Sequence, residues 1–201
     1  EQFLKIADHL LLGGKIANTI LTEKGLIKSK SFSEVSAEVE KKEPSSTSET
    51  EKMKTLGKVK KINLTNTKLH LPADGLISFK DNQKRIPRIG AIGTVKEEET
   101  IFDIGPETIK MFSEIIKTAK TIVWAGPLGM FEKEQYKKGT EEIAKAIIKN
   151  QNAFKVAGGG DTISALNKLG LINKFDHVST GGGAMLEFLS GEKLPGIEAL
   201  K

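Results

Sequence analysis

Short apolar runs, each followed by glycines and then by a helical stripe, recur along the chain. The first is Leu10-Leu11-Leu12, which leads into Gly13-Gly14 and a helix carrying Ile16, Ile20 and Leu21 that ends near Gly25. Next come Thr121-Ile122-Val123-Trp124 before Gly126-Pro127-Leu128-Gly129, and Phe154-Lys155-Val156-Ala157 before Gly158-Gly159-Gly160. The last is His177-Val178 before Gly181-Gly182-Gly183. Short, non-alternating runs of this kind are expected of strands buried on both faces. Between them, apolar residues step by three and four. Ile109, Phe112, Ile116 and Ala119 follow Pro106, placed as a first-turn residue. Ile143 and Ile147 form a second stripe, with Thr140 as its expected N-cap and Glu141 and Glu142 in its first turn. Ile163, Leu166 and Leu169 form a third, closed by Gly170. Strands alternating with helices predict an α/β domain, a doubly wound, mainly parallel sheet with helices on both faces, over residues 1–201.

One stretch breaks the pattern. Lys28 to Lys61 is rich in Ser, Glu, Lys and Thr around Pro44-Ser45-Ser46-Thr47-Ser48. It lacks the apolar content that offsets ordering entropy, so a low-complexity, mobile surface connection is expected, with a short helix near Phe32 to Val39. The chain returns to the sheet at Lys68-Leu69-His70-Leu71-Pro72, with Asp74-Gly75 just after.

Composition narrows the chemistry. The 201 residues suffice for one domain with a proper core. There is no Cys, which excludes a disulfide framework and thiolate chemistry and favours a cytoplasmic setting. No apolar run approaches the roughly 20 residues of a membrane span, and no secretory signal opens the chain. The net charge of +5 suits an anionic small ligand or a nucleic acid and, just as well, a Lys-rich solvated surface. Aromatics are few and do not interleave with the basic residues, so no nucleic-acid partner is expected. His9, His70 and His177 are scattered without ligand spacing, which argues against a transition-metal site. Glu1 opens the chain inside what reads as the tail of a helix, as a piece of a longer protein would.

The glycines, 20 in all and about half again the usual share, gather where chemistry is expected. In a doubly wound sheet ligands bind beyond the carboxyl ends of the strands, and every Gly-rich run here falls at such an end. Each loop feeds a helix N-terminus, whose amides and dipole favour phosphate; bare glycine lets the anion reach the backbone. In Gly158-Gly159-Gly160-Asp161-Thr162 a carboxylate beside phosphate would repel it unless a cation intervened, so Asp161 suggests Mg²⁺. The competing reading makes Asp161 and Thr162 simple helix caps. Ser179-Thr180-Gly181-Gly182-Gly183 offers two hydroxyls and three bare amides, or else a tight turn with close strand–helix packing. G-x-G-x-x-G, G-x-x-x-x-G-K-[ST] and G-x-S-x-G are all absent, which disfavours a dehydrogenase, a Walker-type ATPase and an α/β-hydrolase.

Taken in order, these loops resemble the signature segments of phosphoglycerate kinase. They are Leu11-Leu12-Gly13-Gly14 with Ala17, Leu71-Pro72-Ala73-Asp74, and Asp103-Ile104-Gly105-Pro106-Glu107-Thr108. Trp124-Ala125-Gly126-Pro127-Leu128-Gly129-Met130-Phe131-Glu132 follows, then Gly139-Thr140, Gly158 to Thr162, Ser179 to Ala184 with Leu186-Glu187, and Leu194-Pro195-Gly196. Only residues 28–61 fail to align clearly.

The resemblance implies the C-terminal, Rossmann-like nucleotide-binding lobe of a two-lobed, monomeric glycolytic kinase. That enzyme moves a phosphoryl group reversibly from 1,3-bisphosphoglycerate to ADP, giving ATP and 3-phosphoglycerate. Carried onto this chain, Gly13, Gly14, Phe102, Pro127 and Met130 would line the adenosine pocket and Glu132 would hold the ribose. Gly158, Gly159, Gly160 and Thr162 would take phosphates, Asp161 would take Mg²⁺, and the amides of Gly181, Gly182 and Gly183 would face the group in transfer. The glycerate-binding lobe and the family's Lys-bearing loop are not in this sequence, so weak MgADP binding and negligible turnover are expected of these residues alone. Ala125 stands where the family has Asn, and Gly13-Gly14-Lys15 replaces a Gly triplet. Ala125 and the low-complexity stretch favour a second reading, a non-catalytic nucleotide-binding or regulatory module derived from the kinase.

Overall fold

The structure, a computed structural model, describes residues 2–28, 62–79 and 86–200. Of the low-complexity stretch at 28–61, all but Lys28 lies outside the described residues, and so does its expected helix. The element order is α1 (Gln2–Ile6), β1 (Leu10–Leu11), α2 (Gly14–Glu23), β2 (Leu69–His70), β3 (Asp74–Phe79), β4 (Arg88–Ala91) and β5 (Glu99–Ile104). It continues with α3 (Pro106–Thr118), β6 (Thr121–Ala125), α4 (Lys138–Lys149), β7 (Phe154–Gly158), α5 (Gly160–Lys168), β8 (His177–Ser179), α6 (Gly182–Leu189) and α7 (Pro195–Glu198).

The parallel α/β plan holds in two places. β6, β7 and β8 pair in parallel in that order, and β1 pairs in parallel with β2. Between them lies an antiparallel sheet, β4-β3-β5, whose short hairpin-like strands the sequence pattern does not announce. Arg88 and Glu99 tie its two edges with a close ion pair of 2.6 Å, and Glu99 also accepts the Lys96 N–H.

Several helix ends follow local chemistry. Pro106 occupies the first turn of α3, and the stripe's Phe112 and Ile116 are buried. Gly170, at φ +67°, closes α5: its N–H donates to the Asn167 carbonyl and the Leu171 N–H to that of Leu166, a Schellman pattern. Gly25, at φ +69°, closes α2 in the same way through Thr22 and Leu21. The main core gathers Ile104, Phe112, Ile116, Trp124, Ile143, Ile147, Ala157 and Leu166 between the β6–β8 sheet and its helices. A smaller cluster, Leu21, Ile27, Ile77, Ile92, Val95 and Ile101, joins α2 to the antiparallel sheet.

Two sequence expectations change. β6 alternates instead of burying both faces: Ile122 and Trp124 point to the core, and Val123 is 42% exposed. The outer face of the sheet is covered only in part, by α6, leaving an apolar hollow of about 310 Å³ lined by Val123, Phe154, Val156, Met185, Phe188 and Leu189. Thr140 is not the cap of α4. That helix starts two residues earlier, and Thr140 lies buried in its first turn with a different partner, described below.

Candidate nucleotide site

Strand register brings the Gly-rich loops together. Ala125 pairs with Gly158 and Gly158 with Ser179, so three parallel strands end level with one another and their loops leave the same edge. The Gly159 N–H donates to the Ser179 carbonyl at 3.2 Å. A Cβ on Gly182 would sit 2.5 Å from the Gly159 Cα and 2.9 Å from its nitrogen, so the two loops meet backbone against backbone. Gly159 itself turns at φ +95°, a conformation that favours glycine. From this contact α5 and α6 depart side by side. Their first-turn amides, those of Gly160, Asp161 and Thr162 and of Gly182, Gly183 and Ala184, head toward the rim.

The Gly126–Met130 loop is the hub. Thr162 is fully buried, and its hydroxyl accepts the Gly126 N–H at 2.7 Å. Thr140 does the same from below, its hydroxyl accepting the N–H groups of Leu128 at 3.0 Å and Gly129 at 3.3 Å. On the far side the Gly14 N–H donates to the Leu128 carbonyl at 3.1 Å, and a Cβ on Gly13 would strike the Leu128 side chain. The Met130 N–H donates to the Phe102 carbonyl at 2.8 Å. Thus Gly13, Gly14, Phe102 and Thr162, dispersed in sequence, converge on the loop that carries Pro127 and Met130, while Gly158 pairs with Ala125 just before it and Gly159 turns toward Ser179 and Gly182.

The individual roles are more specific than the sequence indicates. The Phe102 ring is buried and stacked on Tyr136, centroids 4.7 Å apart, so it is the Phe102 backbone that positions Met130. The Thr162 hydroxyl is committed to Gly126 and caps nothing. Asp161 is exposed at the second position of α5, clear of the sheet. Glu132 is exposed, just past Phe131, whose ring lies 5.0 Å under the Lys168 ammonium. Gly181 and Gly183 are exposed, and a Cβ on Gly183 would meet open space.

Two aspartates missed as functional residues hold this frame. Asp103 is buried at the end of β5, its carboxylate accepting N–H bonds from Gly139 at 2.7 Å and Ile104 at 2.9 Å. Gly139 is in the first turn of α4, so Asp103 supplies the cap that α4 lacks locally. Gly129 and Gly139 form its cradle, since a Cβ on either would fall inside the carboxylate. Burial pushes the Asp103 carboxyl up to about 7 against the pull of those two N–H bonds. Asp74 caps α3 likewise, accepting from Glu107 at 3.1 Å and Thr108 at 2.8 Å. Position in a shared motif was the only signal available for either; a carboxylate that caps a helix from another strand leaves no local trace.

The model of the family described as phosphoglycerate kinase matches residues 1–192. The chain belongs to the phosphoglycerate kinase family. Phosphoglycerate kinase of Haemophilus influenzae strain PittGG is 39% identical over 197 residues, 98% of this chain and 46% of its own length. That of strain Rd is 38% identical over the same span. Among solved structures, phosphoglycerate kinase from Coxiella burnetii superposes with a TM-score of 0.74 at 34% identity, covering 100% of this chain and 48% of that one. The enzyme from Pyrococcus horikoshii OT3 gives 0.77 at 30% identity, covering 100% and 47%. The chain therefore spans about half the length of the phosphoglycerate kinases it matches. Among the described residues no helix is long and apolar enough to cross a membrane.

Proposed function

We propose that this chain is the C-terminal nucleotide-binding lobe of a phosphoglycerate kinase and supplies its MgADP/MgATP site. One observation carries the reading. The Gly158–Thr162 and Gly181–Gly183 loops touch backbone to backbone at the level ends of adjacent parallel strands, each opening a helix. Two sets of helix-start amides thus begin side by side, which fits a chain of phosphates laid across them.

In this reading Gly13, Gly14, Pro127 and Met130 line the adenosine pocket, with Phe102 holding Met130 in place, and Glu132 takes the ribose hydroxyls. The first-turn amides of Gly160, Asp161 and Thr162 bind the nucleotide phosphates, while Gly158 and Gly159 hold the turn, the Gly159 N–H being given to the Ser179 carbonyl. Asp161 fits Mg²⁺ because that ion is commonly held by one or two carboxylates together with substrate phosphates. When bound, the cation supplies charge neutralisation between the phosphates. Gly181, Gly182 and Gly183 direct amides at the phosphoryl group as it leaves the acyl phosphate of 1,3-bisphosphoglycerate for a β-phosphate oxygen of ADP. The bond to the carboxylate oxygen breaks as the new P–O bond forms, and no net proton moves. Such a transfer depends chiefly on positioning and charge stabilisation. The glycerate substrate would be presented by the N-terminal lobe of the longer enzyme.

Calorimetry tests this directly. The chain is expected to bind MgADP weakly, and Asp161→Asn is expected to abolish the Mg²⁺ dependence while leaving metal-free ADP binding in place. Absence of heat at millimolar MgADP defeats the nucleotide assignment, and an unchanged Mg²⁺ dependence defeats the role of Asp161. Turnover by these 201 residues alone is expected to be negligible. Appreciable activity would show that no second lobe is needed.

A further inference from the structure

His9 and His70 are 61 positions apart in sequence, yet the fold sets their ring nitrogens face to face: Nδ1 of His9 lies 3.0 Å from Nε2 of His70. The rings are tilted by 47°, with centroids 5.1 Å apart. His9 is exposed and His70 half-buried, so the pair is reachable from solvent. It is also held firmly. His9 directly precedes β1 and His70 ends β2, and the two strands are joined by the Leu10 N–H to the Lys68 carbonyl at 2.7 Å and the Leu12 N–H to the His70 carbonyl at 3.0 Å. The Lys68 ammonium adds a third tie, donating to the Ala7 carbonyl at 2.9 Å.

A nitrogen pair at this spacing holds a single proton between two basic sites. It is also nearly the spacing of two imidazoles on one ion, since metal–nitrogen bonds of about 2.0–2.1 Å put neighbouring ligands roughly 3.0–3.4 Å apart. Both rings would rotate from this hydrogen-bonded arrangement to turn their lone pairs toward a shared ion. Two imidazoles are intermediate ligands suited to Zn²⁺, Ni²⁺ or Cu²⁺ and poor ones for Mg²⁺, which prefers oxygen. No third His, Cys, Asp or Glu joins them among the described residues, and a bound ion would take its remaining ligands from water.

We infer that His9 and His70 form a two-histidine site for a divalent transition cation, chemically distinct from any Mg²⁺ site at the nucleotide rim. Its occupant would bridge β1 and β2 and pin the strand that leads straight into Gly13 and Gly14.

The test is zinc titration of the full 201-residue chain by calorimetry in nucleotide-free buffer, with the imidazole resonances followed by NMR. One equivalent of Zn²⁺ is expected to bind and to shift the His9 and His70 signals while leaving His177 in place, and millimolar Mg²⁺ is expected not to compete. His9→Gln and His70→Gln are each expected to weaken binding at least tenfold, and His177→Gln not at all. Because His9 is exposed, His9→Gln keeps the test valid even where His70→Gln perturbs folding. Failure to bind millimolar Zn²⁺, or an affinity unchanged in His9→Gln, overturns the site.

Discussion

Asp103→Asn isolates a buried charge whose titration has a definite sign. The wild-type carboxyl has a folded pKa of about 7 against an ordinary 3.8, so the folded state binds its proton more tightly than the unfolded state. Between those two values the folded chain holds one more proton, and stability rises as pH falls. The slope approaches about 1.4 kcal/mol per pH unit, which gives roughly 2 kcal/mol from pH 7 to pH 5. Above pH 7 the site contributes its full penalty, on the order of 4 kcal/mol, for burying the anion. Asn cannot titrate. It keeps one acceptor oxygen but turns an NH₂ toward one of the two N–H donors, Gly139 or Ile104, at a pH-independent cost of about 1–3 kcal/mol. The absolute effect of the substitution therefore mixes two terms, but its pH dependence does not. Urea unfolding of both proteins at half-unit steps from pH 5 to 8.5 is the assay. Wild type is expected to gain on the variant by about 2 kcal/mol as pH falls from 7 to 5. His70, whose folded pKa is lowered, acts in the opposite sense, removing stability as pH drops below its ordinary 6.5. It is common to both proteins and cancels in the difference. A flat difference, or one in which wild type loses ground at low pH, would show that Asp103 titrates as an ordinary exposed carboxylate and refute the argument.

Other substitutions probe the frame more coarsely. Gly182→Ala drives a Cβ into the Gly159 backbone and is expected to cost about 1–3 kcal/mol in thermal or urea unfolding and to weaken MgADP binding. Gly183→Ala points into open space and should leave stability unchanged or slightly raised, yet lower turnover in the longer enzyme if the transfer group passes there. Equal stability losses in the two variants would contradict the packing described. Thr162→Val keeps the shape and removes the acceptor for the Gly126 N–H, an expected loss of about 1–3 kcal/mol with raised amide exchange at Gly126. Unchanged exchange would mean another group takes that proton. Asp74→Ala deprives α3 of both capped amides, and a stability loss of about 1–2 kcal/mol by urea unfolding is expected.

Local signals in the sequence were reliable, and long-range ones were mostly silent. Pro106, Gly170 and Gly25 mark helix ends because proline and glycine restrict or free the backbone at their own positions. The apolar steps at Phe112, Ile116, Ile143 and Ile147 mark helix faces for the same local reason. The glycine runs mark the ends of β6, β7 and β8, and at Gly159 and Gly182 two backbones touch where a side chain would not fit. Thr140 shows the limit. A threonine followed by two glutamates reads as a cap, but its hydroxyl is drawn to the amides of a loop a dozen positions away. Asp74 and Asp103 cap helices that lie on other segments, and His9 meets His70 across 61 positions. Periodicity cannot report such pairings. The β4-β3-β5 sheet escaped notice because Asp74–Phe79 and Glu99–Ile104 mix polar and apolar residues without strict alternation, and a register shift at Leu76/Ile77 breaks the period.

The contact between Gly159 and Gly182 also has an electrostatic consequence. α5 and α6 both follow parallel strands, so they point the same way and begin as neighbours. Each start carries about half a unit of positive charge, and the glycine contact holds these like poles together with no side chain to separate them. The folded chain thus sustains a local repulsion that water and salt only partly screen, and any dianion lodged between the helices relieves it at both ends at once. Sulfate or inorganic phosphate should therefore raise the melting temperature more than chloride at equal ionic strength, and Gly182→Ala, by prising the poles apart, should shrink that difference.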